Sequence, residues 1–216
     1  MQPEKRLGVV VLAAGVGRRL GCDKAALSWG PTTLVGHVVE QFALPCVRQR
    51  VVVVNPRNDR AVRQALPDDV EIVVNPDSEA EMITSVRLGM RALAAPEGPL
   101  CVHPVDVFGV SRELVIMLWE AWRANPEGIH LPEVGGRGGH PLIVPRCLVA
   151  EVERIPPGYG LNWLLRERGE AVVRHAWHDE RLLADIDTLE DYHRWRPPAE
   201  GPEGGAIRDP NHREEG

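Results

Sequence analysis

The sequence predicts one α/β domain of three layers: a mostly parallel sheet between two layers of helices, with one antiparallel excursion. Three observations carry this prediction. Short Val-rich runs alternate with segments of helical period from Gly8 to Arg123. A strand, a Gly-rich turn and a returning strand come next in IHLPEVGGRGGHPLIVP, Ile129 to Pro145. The length of 216 residues suits a single core of ordinary size.

The elements can be justified in order. GVVVLA (Gly8 to Ala13) and RVVVVN (Arg50 to Asn55) are short, continuous and β-branched, as strands covered on both faces should be. VEIVVN (Val70 to Asn75) and PLCVHPVDV (Pro99 to Val107) have the same pattern. Between them, helical period marks Thr32 to Ala43, Asn58 to Leu66, Thr84 to Ala94 and Arg112 to Arg123. Thr32, Asn58 and Ser111 are the candidate N-caps. Such alternation implies parallel strands joined by right-handed crossovers, with helices on both faces. Beyond the Gly-rich turn, helices are predicted around Cys147 to Arg154 and Leu161 to Arg168. A strand at Ala171 to Ala176 and a last helix from Leu189 to Arg196 close the domain, expected to span residues 1–196.

Residues 197–216, PPAEGPEGGAIRDPNHREEG, hold eight Gly or Pro and almost nothing apolar, which predicts a disordered tail. Its five acidic and two basic side chains carry half of the formal net charge of −6. That balance argues against a general nucleic-acid binder, which needs a basic face. With 44% hydrophobic and 26% charged residues, the composition is that of an ordinary soluble globular protein. No run approaches the roughly 18 to 20 apolar residues of a membrane-spanning helix. The first strand begins too early for a separate signal-peptide region, so a cytoplasmic location is expected. Cys22, Cys46, Cys101 and Cys147 are widely spaced with no CxxC, which predicts four reduced thiols.

The stretch LAAGVGRRLGCDK, Leu12 to Lys24, comes directly after the first strand and carries glycines suited to a phosphate-binding turn. A dinucleotide site would also need an acid ending the second strand to bind ribose hydroxyls, and that strand ends at Asn55-Pro56. Arg18, Arg19 and Lys24 instead concentrate positive charge on one turn. A triphosphate undergoing attack calls for such cations, so the loop reads as a triphosphate cradle.

These residues resemble a known family. LAAGVGRRLGCDKAAL looks like the LAAGxSxRMGxxK signature of MobA-like nucleotidyltransferases, above all their molybdenum cofactor cytidylyltransferase branch. VNPDSEAEMITSVRLGMRAL is similar to the family's NPxxxxGMxxSLxxGL, PVDVF takes the place of GDMP, and GGRGGHPLIV resembles GRxGHPVLF. LLADIDTLEDY is similar to the closing DIDTPEDY. The resemblance runs from about Leu7 to Trp195. It implies a Rossmann-like nucleotidyltransferase domain, Mg²⁺ as cofactor, an NTP as donor and a small phosphorylated acceptor. The LAAG form, rather than LAGG, implies CTP, and the branch implies a molybdopterin-type acceptor. A molybdoenzyme or its maturation factor is a further implied partner.

Carried over residue by residue, the resemblance makes Arg18, Lys24 and Asp106 the expected catalytic residues. Asp106 closes an apolar strand at the carboxyl edge where open α/β sheets bind ligands, although Asp also commonly caps turns. Asp106 and Asp187 are the expected metal ligands, with Asp185 competing for the second place and one of the pair expected to cap the last helix. Leu12, Ala13, Ala14, Gly15, Gly17 and Gly21 would bring backbone amides to the phosphates. Asn75, Thr84 and Ser85 would contact base and ribose, with helix capping as the alternative for the last two. Gly139, His140 and Pro141 would face the acceptor. His140 would hydrogen-bond a phosphate or pterin, or fix the turn. His103 and the tryptophans at 119, 122 and 163 read as packing residues.

Three departures stand out. Glu81 replaces a glycine of the family pattern and puts a negative charge near an anionic substrate unless it turns outward or reads a donor. Phe108 stands where the pattern has proline. GYGLN, Gly158 to Asn162, lacks the acid and arginine of a GDxGAR-like segment. These departures motivate a second hypothesis, a non-catalytic nucleotide-binding or chaperone-like protein. A sugar-phosphate nucleotidyltransferase ranks last, because no extended sugar domain is evident.

Overall fold

The computed structural model describes residues 5–17, 20–77, 81–94 and 98–198. The expected tail, from residue 199 onward, lies outside the described residues. Strand β1 (Leu7–Ala13) is buried along its whole length. A two-residue ribbon, β2 (Ser28–Trp29) and β3 (Thr32–Thr33), leads into α1 (Leu34–Gln41). Then come β4 (Val47–Val54), α2 (Asp59–Ala65), β5 (Val70–Val74), α3 (Met82–Ala92), β6 (Leu100–Pro104) and α4 (Arg112–Ala124). The excursion consists of β7 (Ile129–Val134), β8 (Arg137–Gly138) and β9 (Leu142–Val144). A 3-10 turn and α5 (Val149–Val152), α6 (Asn162–Glu167), β10 (Val172–Ala176) and α7 (Leu189–Trp195) complete the described chain.

The main sheet runs β10-β7-β9-β6-β1-β4-β5, with β8 paired on β7. β1 pairs in parallel with both β4 and β6, β4 with β5, and β10 with β7. β9 is antiparallel to β6 and β7, which is the expected excursion. Two apolar layers explain why the Val runs are continuous. Val9 and Val11 of β1 pack with α1, α4 and Tyr192 of α7, whereas Val10 and Leu12 pack with Val86 of α3, Val152 of α5 and Leu164 of α6. Gly89 lets α3 lie close to the sheet, since a Cβ there would stand 2.4 Å from a methyl of Val10.

Local chemistry sets the helix ends. Ser111 caps α4 by accepting the Leu114 N–H, with Glu113 in the first turn and Arg123 in the last, matching the helix dipole. Thr33, rather than Thr32, caps α1 by accepting the Gly36 N–H, although both threonines belong to the ribbon. Asn58 stands at the start of α2 without a side-chain cap bond, since its Oδ1 accepts the Asn55 N–H while its Nδ2 donates to the end of β1. Thr84 and Ser85 lie inside α3, whose N-cap is Glu81. Neither Asp185 nor Asp187 caps α7. Thr188 does so, in a capping box with Asp191.

The packing residues fall where the pattern puts them. His103 is fully buried, and Trp119 and Trp122 stack with ring centroids 5.0 Å apart. All four cysteines are free thiols. No helix among the described residues is long and apolar enough to cross a membrane.

Candidate active site

The carboxyl ends of β1 and β6 open on a cleft of about 350 Å³. β6 stops at Pro104, short of the expected Val107. The chain turns there, with the Val107 N–H donating to the Pro104 carbonyl and His103 Nε2 bonded to the Val107 carbonyl. Asp106 therefore sits on the turn just past the strand, facing the end of β1. The Val105 N–H donates to the Leu12 carbonyl at 3.0 Å, which ties this turn to β1.

A second segment arrives from far along the chain. Val107 and Asp185 form an antiparallel bridge, and the Ile186 N–H donates to the Asp106 carbonyl at 3.3 Å. Asp187 is thereby brought beside Asp106. Lys24 Nζ donates to Asp106 Oδ2 at 3.0 Å and to Asp187 Oδ1 at 2.6 Å. Burial pulls the ammonium toward its neutral form, but the two carboxylates more than offset this and hold its pKa above the usual lysine value. The Asp185 carboxyl is pushed up by burial and then by repulsion from Asp106 and Asp187, partly relieved by Lys24. Of the two aspartates that spacing could not separate, Asp187 shares the ammonium with Asp106.

Lys24 and the two carboxylates share the cleft wall with the glycine loop. Leu12, Ala13, Ala14, Gly15 and Gly17 line it on one side, Asn75 and Ser85 on the other. Gly17 has φ +55, and a Cβ there would fall 2.2 Å from the Cys22 carbonyl oxygen, so this turn requires glycine. Asn75 Nδ2 donates to Ser85 Oγ at 3.0 Å while its Oδ1 accepts the Asp77 N–H, forming a small buried polar brace. Gly21 and Thr84 are not on the cleft wall. Gly21 instead completes the loop turn, its N–H donating to the Gly17 carbonyl. Arg18 lies outside the described residues.

Sequence reasoning missed the support beneath the loop. Asn58 Nδ2 donates to the Ala13 carbonyl at 2.8 Å, and Asn55 Nδ2 to the Ala14 carbonyl at 3.2 Å. Asn58 Oδ1 also accepts the Asn55 N–H at 2.9 Å. Both asparagines are buried. The available signal was a pair of Asn residues directly after a strand adjacent to β1. Ala25, Asp77, Met82, Pro104 and Val105 also line the cleft; all lie within the motif segments, but the motifs single out none of them as a site residue.

A second cleft of about 290 Å³ adjoins the first, sharing Leu12 and Met82 with it. Gly139 and His140 line it together with Gly160, Leu161, Asn162 and Arg174. His140 Nδ1 lies 3.4 Å from the Val102 carbonyl, and burial holds its pKa below the usual imidazole value. Pro141 is buried behind His140, joined to it by a cis peptide bond, and does not line the cleft.

The departures have physical explanations. Glu81 does read a donor, accepting the Gly158 N–H. Phe108 is a core residue, 5.0 Å from the Trp29 ring and 5.5 Å from Trp195, and its carbonyl is bonded to His37. Gly160 and Asn162 of the altered GYGLN segment still reach the second cleft.

Comparison with known proteins gives three kinds of match. A sequence model described as the MobA-like NTP transferase domain matches residues 9–174. The molybdenum cofactor cytidylyltransferase of Escherichia coli K12 is 25% identical over 191 residues, covering 85% of this chain and 92% of that protein. Among solved structures, a homologue of Mycobacterium tuberculosis Rv0371c from Mycobacterium sp. strain JC1 is 25% identical, with a TM-score of 0.75 over 88% of this chain and 94% of that one. Rv0371c from M. tuberculosis H37Rv, solved in complex with manganese, has a TM-score of 0.69 at 22% identity, covering 88% and 97% of the two chains.

Proposed function

The chain belongs to the MobA-like NTP transferase domain family, and from that premise we propose that it transfers CMP from CTP to a molybdopterin-type acceptor, releasing pyrophosphate. Nucleotidyl transfer is the activity of the family. The base, the acceptor, the metal, the cytoplasmic setting and the site residues are this proposal. One observation carries it: the Lys24 ammonium shared by Asp106 and Asp187 in a cleft walled by the glycine loop.

The reaction needs no covalent nucleophile from the protein. A phosphate oxygen of the acceptor attacks the α-phosphorus of CTP, a P–O bond forms, and the bond to the β-phosphate oxygen breaks as pyrophosphate departs. The chain's work is alignment and charge neutralisation. The backbone amides of Ala14 to Gly17 present donors to phosphate oxygens, and Lys24 and Arg18 supply positive charge for the departing pyrophosphate. The Asn75–Ser85 brace offers polar edges to the base and ribose. Gly139 and His140 border the cleft assigned to the acceptor, with Pro141 buried behind them.

The residues present fit a magnesium ion. Two carboxylates already converge on a single cation, and the donor set is all hard oxygen, as Mg²⁺ prefers when substrate oxygens and waters complete its shell. Asp106 and Asp187 would hold it, and when bound it would neutralise phosphate charge in the transition state. The manganese complex of Rv0371c and the cytidylyltransferase relative agree with this choice of metal class and base.

A thermal-stability screen of all four NTPs with Mg²⁺ tests the nucleotide half of the proposal. CTP should raise Tm most, by mass action on the native state. Equal or absent shifts with all four would refute it.

A further inference from the structure

Helix α3 stands between the two clefts. Ser85 on this helix braces Asn75 of the nucleotide cleft, and Met82 borders both clefts. The same helix grips the end of α5 and the chain beyond it. Arg87 donates to the Val152 and Ile155 carbonyls at 3.2 and 2.6 Å, and Arg91 makes a two-bond pair with Glu153 at 2.9 and 2.7 Å. Glu81 reaches furthest along that chain, accepting the Gly158 N–H in both carboxylate oxygens at 2.8 and 2.9 Å.

Just beyond Gly158, the residues Gly160, Leu161 and Asn162 form part of the wall of the second cleft. Packing does little to fix the start of this loop. A Cβ added at Gly158 or Gly160 would meet nothing within 4 Å, and Tyr159 between them is exposed. Gly158 also has φ +84, so its N–H is aimed by a backbone conformation that favours glycine. The Glu81 carboxylate on the Gly158 N–H therefore ties the start of the loop to the N-terminus of α3, alongside the Tyr159 N–H bond to the Pro156 carbonyl and the Arg166 guanidinium over the Tyr159 ring.

We infer that Glu81 is a positioning residue for the acceptor: its carboxylate fixes the Gly158–Asn162 loop against the N-terminus of α3, setting the acceptor's place relative to the nucleotide. The inference rests on the reading of the second cleft as the acceptor subsite. Glu81 lines neither cleft. It acts through the loop.

The test uses the full chain with Glu81→Ala and Glu81→Gln. Glutamine keeps an oxygen that can accept the Gly158 N–H, whereas alanine does not. Two readouts are taken: hydrogen exchange of the segment 156–162 without substrates, and KM for molybdopterin and for CTP with Mg²⁺. Glu81→Ala should speed exchange and raise the acceptor KM by roughly three- to ten-fold, the change one net hydrogen bond supports, with KM for CTP unchanged. Glu81→Gln should stay near wild type in both. Unchanged exchange in Glu81→Ala, an equal rise in both KM values, or a glutamine variant that behaves like alanine would overturn the inference. If the wild type does not use molybdopterin, the acceptor assignment fails on its own. Exchange then decides the latch: faster in the alanine variant alone supports it, and any other pattern overturns it.

Discussion

Lys24 Nζ lies 3.0 Å from Asp106 and 2.6 Å from Asp187, so a single ammonium joins the glycine loop, the turn after β6 and the segment before α7. The side chains are 14%, 29% and 30% exposed, enough burial to make the trio interdependent. Removing the cation leaves two carboxylates facing each other. Lys24→Met should lower turnover by about 10²-fold or more, the scale of losing one positioned charge in a phosphoryl-transfer site. The same variant should gain more Tm from added Mg²⁺ than the wild type does, because the metal replaces the missing counter-charge. Scanning both proteins with and without Mg²⁺ checks this, and equal gains would count against a shared cation position.

Gly15 and Gly17 separate binding from folding. Gly15 has open space where a Cβ would go, so Gly15→Ala should leave Tm unchanged while its methyl intrudes on the cleft and weakens CTP binding. Gly17→Ala must accommodate both φ +55 and the Cys22 carbonyl, so it should lower stability by about 1–2 kcal/mol or more as well as binding. Calorimetric titration with CTP beside thermal melts resolves the two. A destabilised Gly15→Ala would contradict the loop geometry.

Asn58 supports the loop from below. Asn58→Leu removes the donor to the Ala13 carbonyl and the acceptor of the Asn55 N–H, both buried. A loss of about 2–4 kcal/mol in unfolding free energy is expected, the scale of two buried polar groups left unpaired. Urea unfolding measures it. A neutral variant would mean that the pair does not hold the end of β1.

His103 predicts acid sensitivity. Burial pushes its pKa down from near 6.5 to about 3, with repulsion from His140 adding to the effect and the bond to the Val107 carbonyl opposing it. Its Nδ1 is buried without a partner, so the neutral ring is the form the fold accepts. As pH falls below 6.5 the unfolded chain takes up the proton first. The stability that depends on neutral His103 is therefore complete above about 6.5 and lost progressively toward 3. His103→Phe should flatten the fall in stability across that window. Denaturant titrations from pH 7 to pH 4 would show it, and parallel curves for the two proteins would contradict it.

The strands were legible because fully covered strands must be continuously apolar, and Ser111 announced α4 because its cap chemistry is local. The misplaced ends have separate causes. The cap of α1 falls one residue later, on Thr33, the Asn58 side chain turns to Asn55 and the end of β1 instead of its own helix, and the chain turns at Pro104, two residues before Asp106. At the site, Lys24 and Asp106 could be found from their motifs. The resemblance names Asp187 beside Asp106, but spacing could not separate it from Asp185, because that choice depends on the long-range bridge between Val107 and Asp185. The link between Glu81 and Gly158 was equally invisible. Each looked like a separate departure, and only the fold brings them together.

The most direct test of the central claim is pyrophosphate release from CTP with molybdopterin as acceptor, with and without Mg²⁺, for the wild type and Asp106→Ala side by side. The account predicts metal-dependent release by the wild type and loss of about 10²-fold or more in the variant, with both proteins folded. Release unaffected by Asp106→Ala, or none from a folded wild type with any NTP and any phosphorylated acceptor, would contradict it.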